Sequence, residues 1–261
     1  MTDSYALDLR MTWNLFRMAL RDKYLGAGLG LLWAALNPLL MLGMYTFIFG
    51  FVFKAKIPGA ETTFAYALWL ISGLVPYQAF NEGVMTGTNS LIGGANLIKN
   101  VVFRAETLIF AAALTALIPL AVGLVFLLLL TLANGDVPTW HLVFLPPVLI
   151  AQYLLMSGLG LFLGSISVFV RDIPQALPNI LFLCMFFTPI FYSLDMLPDI
   201  AARLSLYNPL FQLVDAYRNI LIHHTVPNWP GLTGLMLFTL LLNAAGLRFF
   251  RRLRGYFEAV L

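Results

Sequence analysis

The sequence predicts an all-α polytopic membrane protein, and three observations predict it. Of the 261 residues, 61% are hydrophobic and only 10% are charged, where an ordinary soluble domain carries about 25% charged residues. Six long runs are almost free of charge, and each can supply the roughly 20 apolar residues that cross a bilayer core. The lysines and arginines collect in alternate connections between those runs, which is how a multi-span chain records its orientation. Within lipid the backbone has to satisfy its own hydrogen bonds, so the runs are read as helices.

Residues 1–24 read as an amphipathic interface helix. Leu9, Trp13, Phe16 and Leu20 recur at helical spacing as an apolar stripe, and Arg10, Asn14, Arg17 and Arg21 form a second stripe beside it. That combination suits the lipid–water boundary. The first residues hold no short apolar core followed by small residues, so no signal peptide is expected. The runs then follow in order: 24–53 with Pro38 inside it, 62–81 continuing past Glu82 to about 88, 107–135, 137–170 with Pro146-Pro147 near its start, 173–194, and 219–247. The last is too long for one span, and Pro227 and Pro230 put the start of its spanning part near Gly231. The whole chain, 1–261, reads as a single transmembrane domain.

Six spans place both termini on one side. With the termini inside, the inner segments hold Arg10, Arg17, Arg21, Lys23, Lys99, Arg104, Arg171, Arg248, Arg251, Arg252 and Arg254, whereas the outer segments hold only Lys54, Lys56, Arg203 and Arg218. The excess makes the termini cytoplasmic. It also makes cytoplasmic the polar island 90–106, the only charged stretch deep in the first half, and the short connection 170–173. The outer segment 195–230 mixes Asp195, Pro198, Asp199, Arg203, Asn208-Pro209, Asp215, Arg218 and two histidines with apolar turns. It is too apolar for a free loop and too charged for a span. Short re-entrant helices between spans five and six are the expectation, held against protein or a water-filled cavity.

Catalytic groupings are scarce. There is no G-x-x-x-x-G-K-[ST] stretch. Gly26-Ala27-Gly28-Leu29-Gly30 and Gly158-Leu159-Gly160 both lack the phosphate-binding lysine. Energy for any transport therefore comes from a partner or an ion gradient. Gradient carriers keep ionisable groups at mid-membrane, and the candidate here is Glu82, near the inner end of its span, where it can pair with a neighbouring base. His223 and His224 are adjacent and project about 100° apart on a helix, a poor metal chelate. Asp195 and Asp199 read as a helix cap and a solvated face. Cys184 cannot pair within the chain and reads as a packing thiol. Gly160 and Gly164 form a small-xxx-small pair suited to close helix contact. No metal, catalytic residue or nucleic-acid partner is expected. Aromatic residues make up 14% of the chain. Tyr45, Phe49 and Phe53, then Trp69, Tyr77 and Phe80, then Phe187, Phe191 and Tyr192, fall at spacings that could line a channel for sliding sugar faces. Core packing and lipid contact compete for each of them.

Four motifs resemble one family. Arg21-Asp22-Lys23-Tyr24 with Leu29-Gly30, Trp33 and Pro38-Leu39 resembles the approach to the first span of ABC-2 type permeases. The nearest branch exports polysaccharides: O-antigen, capsule and teichoic acid. Asn96-Leu97-Ile98-Lys99 through Phe103 and Glu106 is similar to that family's coupling segment. Val168-Phe169-Val170-Arg171-Asp172-Ile173 is the third match. The fourth is Thr188-Pro189-Ile190-Phe191-Tyr192, with Leu197-Pro198, Asn208-Pro209-Leu210 and Tyr217-Arg218. Arg104 stands where the family often has proline, and Ala27 where it has serine.

The resemblance implies a homodimer in the bacterial inner membrane with a channel between its copies. Two copies of an ABC nucleotide-binding subunit would carry ATP and magnesium, so this chain itself needs no cofactor. A lipid-linked glycan, O-antigen first among them, would be the cargo, with 195–230 as an outer gate. Coupling would fall to Asn96, Leu97, Ile98, Lys99, Phe103, Arg104 and Glu106 with Arg21, Asp22, Arg171 and Asp172, and Arg104, Glu106, Arg171 and Asp172 would form an inner-face ion-pair network. The alternatives keep the fold with a drug or lipid as cargo, or make the chain an ion-coupled carrier or a membrane enzyme.

Overall fold

Helix α3 (Thr63–Gly93) organises the molecule: from Tyr66 to Tyr77 every residue is buried. A helix apolar on all sides belongs at the centre of a bundle, and α3 has neighbours all round. This computed structural model describes residues 2–24, 32–54, 62–101, 103–137 and 139–260. Ala27, Leu29-Gly30 and Lys56 lie outside them. All regular structure among the described residues is helical.

α1 (Thr2–Tyr24) precedes α2 (Leu32–Tyr45), which continues as a wider π-helical stretch over Thr46–Val52. α3 runs for 31 residues, about 46 Å at 1.5 Å per residue. The short α4 (Ala95–Asn100) follows it. α5 (Glu106–Thr115) and α6 (Leu117–Ala133) are nearly continuous, offset at Ala116. Gly135, with φ of 91°, makes the turn out of α6, a backbone conformation open to glycine. α7 (Leu145–Ser167) is led in by a tighter stretch at Trp140–Phe144, with prolines in its first turn where their missing N–H costs nothing. Then come α8 (Asp172–Phe187), α9 (Asp199–Leu206), α10 (Pro209–Leu221), α11 (Trp229–Leu253) and α12 (Phe257–Val260).

Among the described residues, four stretches are long and apolar enough to cross a membrane: Ala35–Val52, Glu106–Ala133, Trp140–Ser167 and Trp229–Tyr256. α3 is long enough, but Asn81, Glu82, Thr86, Thr88, Asn89 and Ser90 dilute its hydropathy. Its neighbours, not lipid, cover it. α8 is apolar but has only 16 residues, about 24 Å. The run expected to reach residue 194 stops as a helix at Phe187. Pro189 disfavours the helical conformation at Thr188, whose backbone is extended. At the other end of the outer segment α11 begins at Trp229, two residues before the expected Gly231. The polar island 90–106 is not one unit either, because its first turn is the end of α3.

The predicted close contact of Gly160 and Gly164 forms against α3. A Cβ on Gly164 would lie 3.2 Å from the Gly87 carbonyl oxygen, and one on Gly160 would lie 2.9 Å from a methyl of Ile109. Side-chain hydrogen bonds stitch the same helices together. Gln152 Nε2 donates to the Pro76 carbonyl at 2.9 Å, and Tyr217 donates to Gln152 Oε1 at 2.6 Å, tying α7 to α3 and α10. Asn243 Nδ2 donates to the Leu154 carbonyl at 2.6 Å, holding α11 on α7. Cys184 is half-buried against the main cluster. Gly160→Val is expected to overpack the α3–α7 crossing by about 1–3 kcal/mol. Thermal unfolding of the detergent-purified protein checks this against Gly43→Ala, where the added Cβ meets nothing within 4 Å. Equal melting temperatures would mean that the crossing can open.

The apolar stripe expected on α1 divides. Leu15 and Phe16 are buried on Ala111 of α5, with Met11 and Leu20 beside them, whereas Leu9 and Trp13 are exposed. α1 therefore packs lengthwise on α5 through one edge and keeps a second apolar edge, with Arg10 and Arg17, facing outward.

Candidate functional site

Two zones carry the residues singled out in the sequence. The first is the end of the bundle around α4. The chain leaves α3 at Gly94, makes the single turn-and-a-half of α4, and reaches α5 through Val101–Ala105. Leu97 and Phe103 are half-buried against α1 and α5, and Ile98 is half-buried against a cluster that includes Leu91, Ile109, Phe250 and Phe257. These three apolar side chains hold the segment to its own subunit. A cleft of about 830 Å³ lies beside them, bordered by Asp8, Lys99, Arg104, Arg254 and Phe257 among others. What the segment offers outward is Asn96, Lys99, Asn100, Val101 and Arg104, all exposed.

Charge pairs hold α1 at two points, one beside α4 and one on the middle of α3. Arg104 Nη1 donates to Asp8 Oδ2 at 2.5 Å, and Lys23 Nζ donates to Glu82 Oε1. Glu82 is therefore a paired acid. Glu106 is buried at the start of α5, where a carboxylate suits the helix dipole. Its Oε1 lies 4.0 Å from Arg251 Nε, and its Oε2 has no hydrogen-bond partner among the described residues.

The four-residue network of Arg104, Glu106, Arg171 and Asp172 does not form. Arg104 turns to α1 and Glu106 to α11, while Arg171 and Asp172 are exposed and make no ion pair among the described residues. The reason is geometric: the 168–172 turn meets the bundle through Val168 and Phe169, which leaves its charges pointing out. Arg21 and Asp22 are also exposed.

The second zone is an aromatic wall between the π-helical stretch and the end of α8. Phe49 is the hub, 6.4 Å from Tyr45, 5.7 Å from Phe53 and 4.7 Å from Phe191, ring centroid to ring centroid. Phe191 continues to Phe186 at 5.4 Å and Phe186 to Phe182 at 5.1 Å. Phe53, Phe182 and Phe186 are exposed, so the wall has an open side. Phe187 is 74% exposed and points away from the ladder. Tyr192 donates to the Phe186 carbonyl at 2.6 Å.

Trp69 and Phe80 do not join the wall, whereas Tyr77 lines a cavity of about 340 Å³ with Tyr45 and Phe182. All three are buried on α3: Trp69 stacks near Tyr66 and Tyr77 donates to the Leu181 carbonyl. A central helix spends its aromatics on its neighbours. Phe182 and Phe186 were missed by the sequence reading. Their i, i+4 spacing pairs them on α8, but only the position of Phe191 shows which of the adjacent Phe186 and Phe187 faces inward.

Behind the wall the parts of the fourth motif meet. Asn208 caps α10 by accepting from the Leu210 N–H at 2.9 Å, and its Nδ2 donates to Thr188 Oγ1 at 3.2 Å. Arg218 is buried. Its Nη1 donates to the Pro189 carbonyl at 2.8 Å and its Nη2 to the Ile190 carbonyl at 3.1 Å. The guanidinium carbon lies 3.5 Å from the centroid of the Trp69 ring. The break after α8 exposes backbone carbonyls that the helix no longer satisfies, and Arg218 satisfies two of them.

Long apolar helices packed around a buried α3, with a charged end and an open aromatic wall, are the build of an integral membrane protein. The chain belongs to the ABC-2 type transporter family, whose model matches residues 10–222. It is 30% identical over 246 residues to the O-antigen export system permease protein RfbA of Myxococcus xanthus, covering 94% of this chain and 92% of the relative. It is 29% identical over 246 residues to RfbA of Klebsiella pneumoniae, covering 93% and 91%. It is 24% identical over 238 residues to the polysialic acid transport protein KpsM of Escherichia coli, covering 91% of each chain.

Proposed function

We propose that this chain is the permease subunit of an ATP-driven exporter that carries a lipid-linked polysaccharide of the O-antigen class across the bacterial cytoplasmic membrane. One observation carries the reading: similarity over nearly the whole chain to permeases named for O-antigen export. The geometry supports it in two places. The aromatic wall offers stacked faces with an open side, suited to the C–H faces of sugars. The segment around α4 presents Asn96, Lys99, Asn100 and Arg104 on a base held to α1 and α5, suited to docking an energy-supplying subunit.

In this reading the six spans are α2 with its π-helical stretch, α3, α5–α6, α7, α8 and α11. α9 and α10 are the re-entrant elements of the outer gate, and both termini and the α4 end are cytoplasmic. A second copy covers the apolar faces of α2 and α8, where Leu40, Met44 and Phe47, and Ile180 and Leu183, are exposed. Two nucleotide-binding subunits supply ATP hydrolysis, and this chain binds neither ATP nor magnesium. The pairing of Glu82 with Lys23 removes the feature that favoured an ion-coupled carrier.

Deleting the gene is expected to remove surface polysaccharide and to leave its lipid-linked precursor inside the cell. The purified chain is expected to bring an ABC ATPase with it. Normal surface glycan together with no co-purifying ATPase would sink the proposal. ATPase stimulation by a hydrophobic drug, with glycan unaffected, would replace the cargo and keep the fold.

A further inference from the structure

The chain after α11 turns back on itself through Arg254, Gly255 and Tyr256 and ends its described course in α12. Phe257 is 1% exposed. It packs edge-on against Phe250 of α11 with ring centroids 5.2 Å apart, and lies 6.0 Å from Phe169. Phe257 and Phe250 share one small cluster with Leu161 of α7, Val168 just after it, Leu91 of α3 and Ile109 of α5, and Ile98 and Ala105 border it. Two exposed segments far apart in sequence therefore rest on one hook: 96–104, whose inner side includes Ile98, and 170–172, which follows directly on Val168 and Phe169. Arg251, a turn and a half before the hook, reaches toward the buried carboxylate of Glu106 where the first segment enters α5. Arg254 and Phe257 also border the cleft that Asp8 and Arg104 line.

We infer that Phe257 is a positioning residue for energy coupling: it packs beneath both segments and makes them move as one body when the docked subunits close. The inference rests on the reading that this end docks an ATP-hydrolysing partner. Packed side chains with discrete arrangements transmit such motion, and a gap between them dissipates it. Without the ring, each segment keeps its own backbone support but loses the shared contact. ATP hydrolysis by the docked partner then proceeds while less of its motion reaches the spans.

The test compares Phe257→Ala with Leu127→Ala in the full permease–ATPase complex. Leu127 is fully buried on α6, away from this cluster, so its truncation reports plain loss of packing. The readout is surface glycan in cells against ATPase activity of the purified complex. Phe257→Ala is expected to lower glycan export per ATP hydrolysed by about 3- to 30-fold, Leu127→Ala to leave that ratio unchanged, and Phe257→Leu to restore most of it. Equal ratios for the two alanine variants would overturn the inference. If Phe257→Ala accumulates too little complex to assay, Phe257→Leu and Phe257→Val take its place, and a ratio indifferent to side-chain size overturns it equally. If the parent complex shows no ATP-dependent export, the underlying reading fails and this inference with it.

Discussion

Arg218→Ala is expected to destabilise the protein by roughly 3–5 kcal/mol, more than any other single substitution considered for this chain. The substitution removes both donors that satisfy the carbonyls of Pro189 and Ile190, removes the cation stacked on Trp69, and leaves a cavity where the side chain was buried. The two carbonyls cannot turn to their own helix, since α8 has ended and Thr188 is extended. They would face other buried side chains unpaired. Arg218→Lys keeps the charge but not the planar fork, and one ammonium cannot stack on Trp69 while reaching both carbonyls in the same geometry, so it is expected to fall between alanine and the parent. Thermal unfolding in detergent, with export measured alongside, checks the order. An Arg218→Ala protein as stable as the parent would show that these carbonyls find other donors. Gly73 tests the same contact from the other side, because an added Cβ there would lie 2.8 Å from Arg218 Nη2. Gly73→Ala is expected to weaken the clamp with no change at Arg218 itself.

The second large effect falls on function and leaves stability nearly unchanged. Arg104→Glu is expected to lower export strongly while shifting unfolding by no more than about 1 kcal/mol, because the pair with Asp8 is solvent-exposed. Reversal places two carboxylates opposite each other and pushes the start of α1 away from the segment that presents Asn96 and Lys99. Adding Asp8→Arg restores an attractive pair and is expected to restore export. The measurement is a double-mutant cycle on export and on ATPase activity of the assembled complex. Recovery in the double variant assigns the effect to the α1 link. If both variants stay inactive, the effect of Arg104 does not run through its pair with Asp8. If Arg104→Glu exports normally with the partner bound, docking runs instead through Leu97, Ile98 and Phe103, which are half-buried against their own subunit.

Much of the fold was legible because a bilayer imposes simple local rules. A helix in lipid needs about 20 apolar residues and satisfies its own backbone, so the apolar runs, their order and the polar island at 90–106 could be read directly. The Gly160–Gly164 pair was legible for the same reason, since close helix approach needs small residues on one face. Harder to read was where hydrophobicity goes when it is not facing lipid. α3 looks like the least convincing span by composition, yet it is buried without a break from Tyr66 to Tyr77. Trp69, Tyr77 and Phe80 are channel candidates by spacing, yet all three are buried on α3, and of them Tyr77 borders a cavity.

The candidate site divides along the same line. The motifs could be found by residue type, and their meeting could not. The bond from Asn208 to Thr188 and those from Arg218 to Pro189 and Ile190 join segments 20, 29 and 28 residues apart, and Arg104 meets Asp8 across 96. The pairing of Lys23 with Glu82 gives the acid singled out on α3 a partner on α1. By itself the sequence determined the membrane class, the helical runs, the family and the positions of the four motifs, because each depends on residues near one another in the chain. Tertiary structure alone decided which edge of α1 is buried, which aromatics form the wall, and which charges pair. Those outcomes depend on distances between helices, and packing sets them.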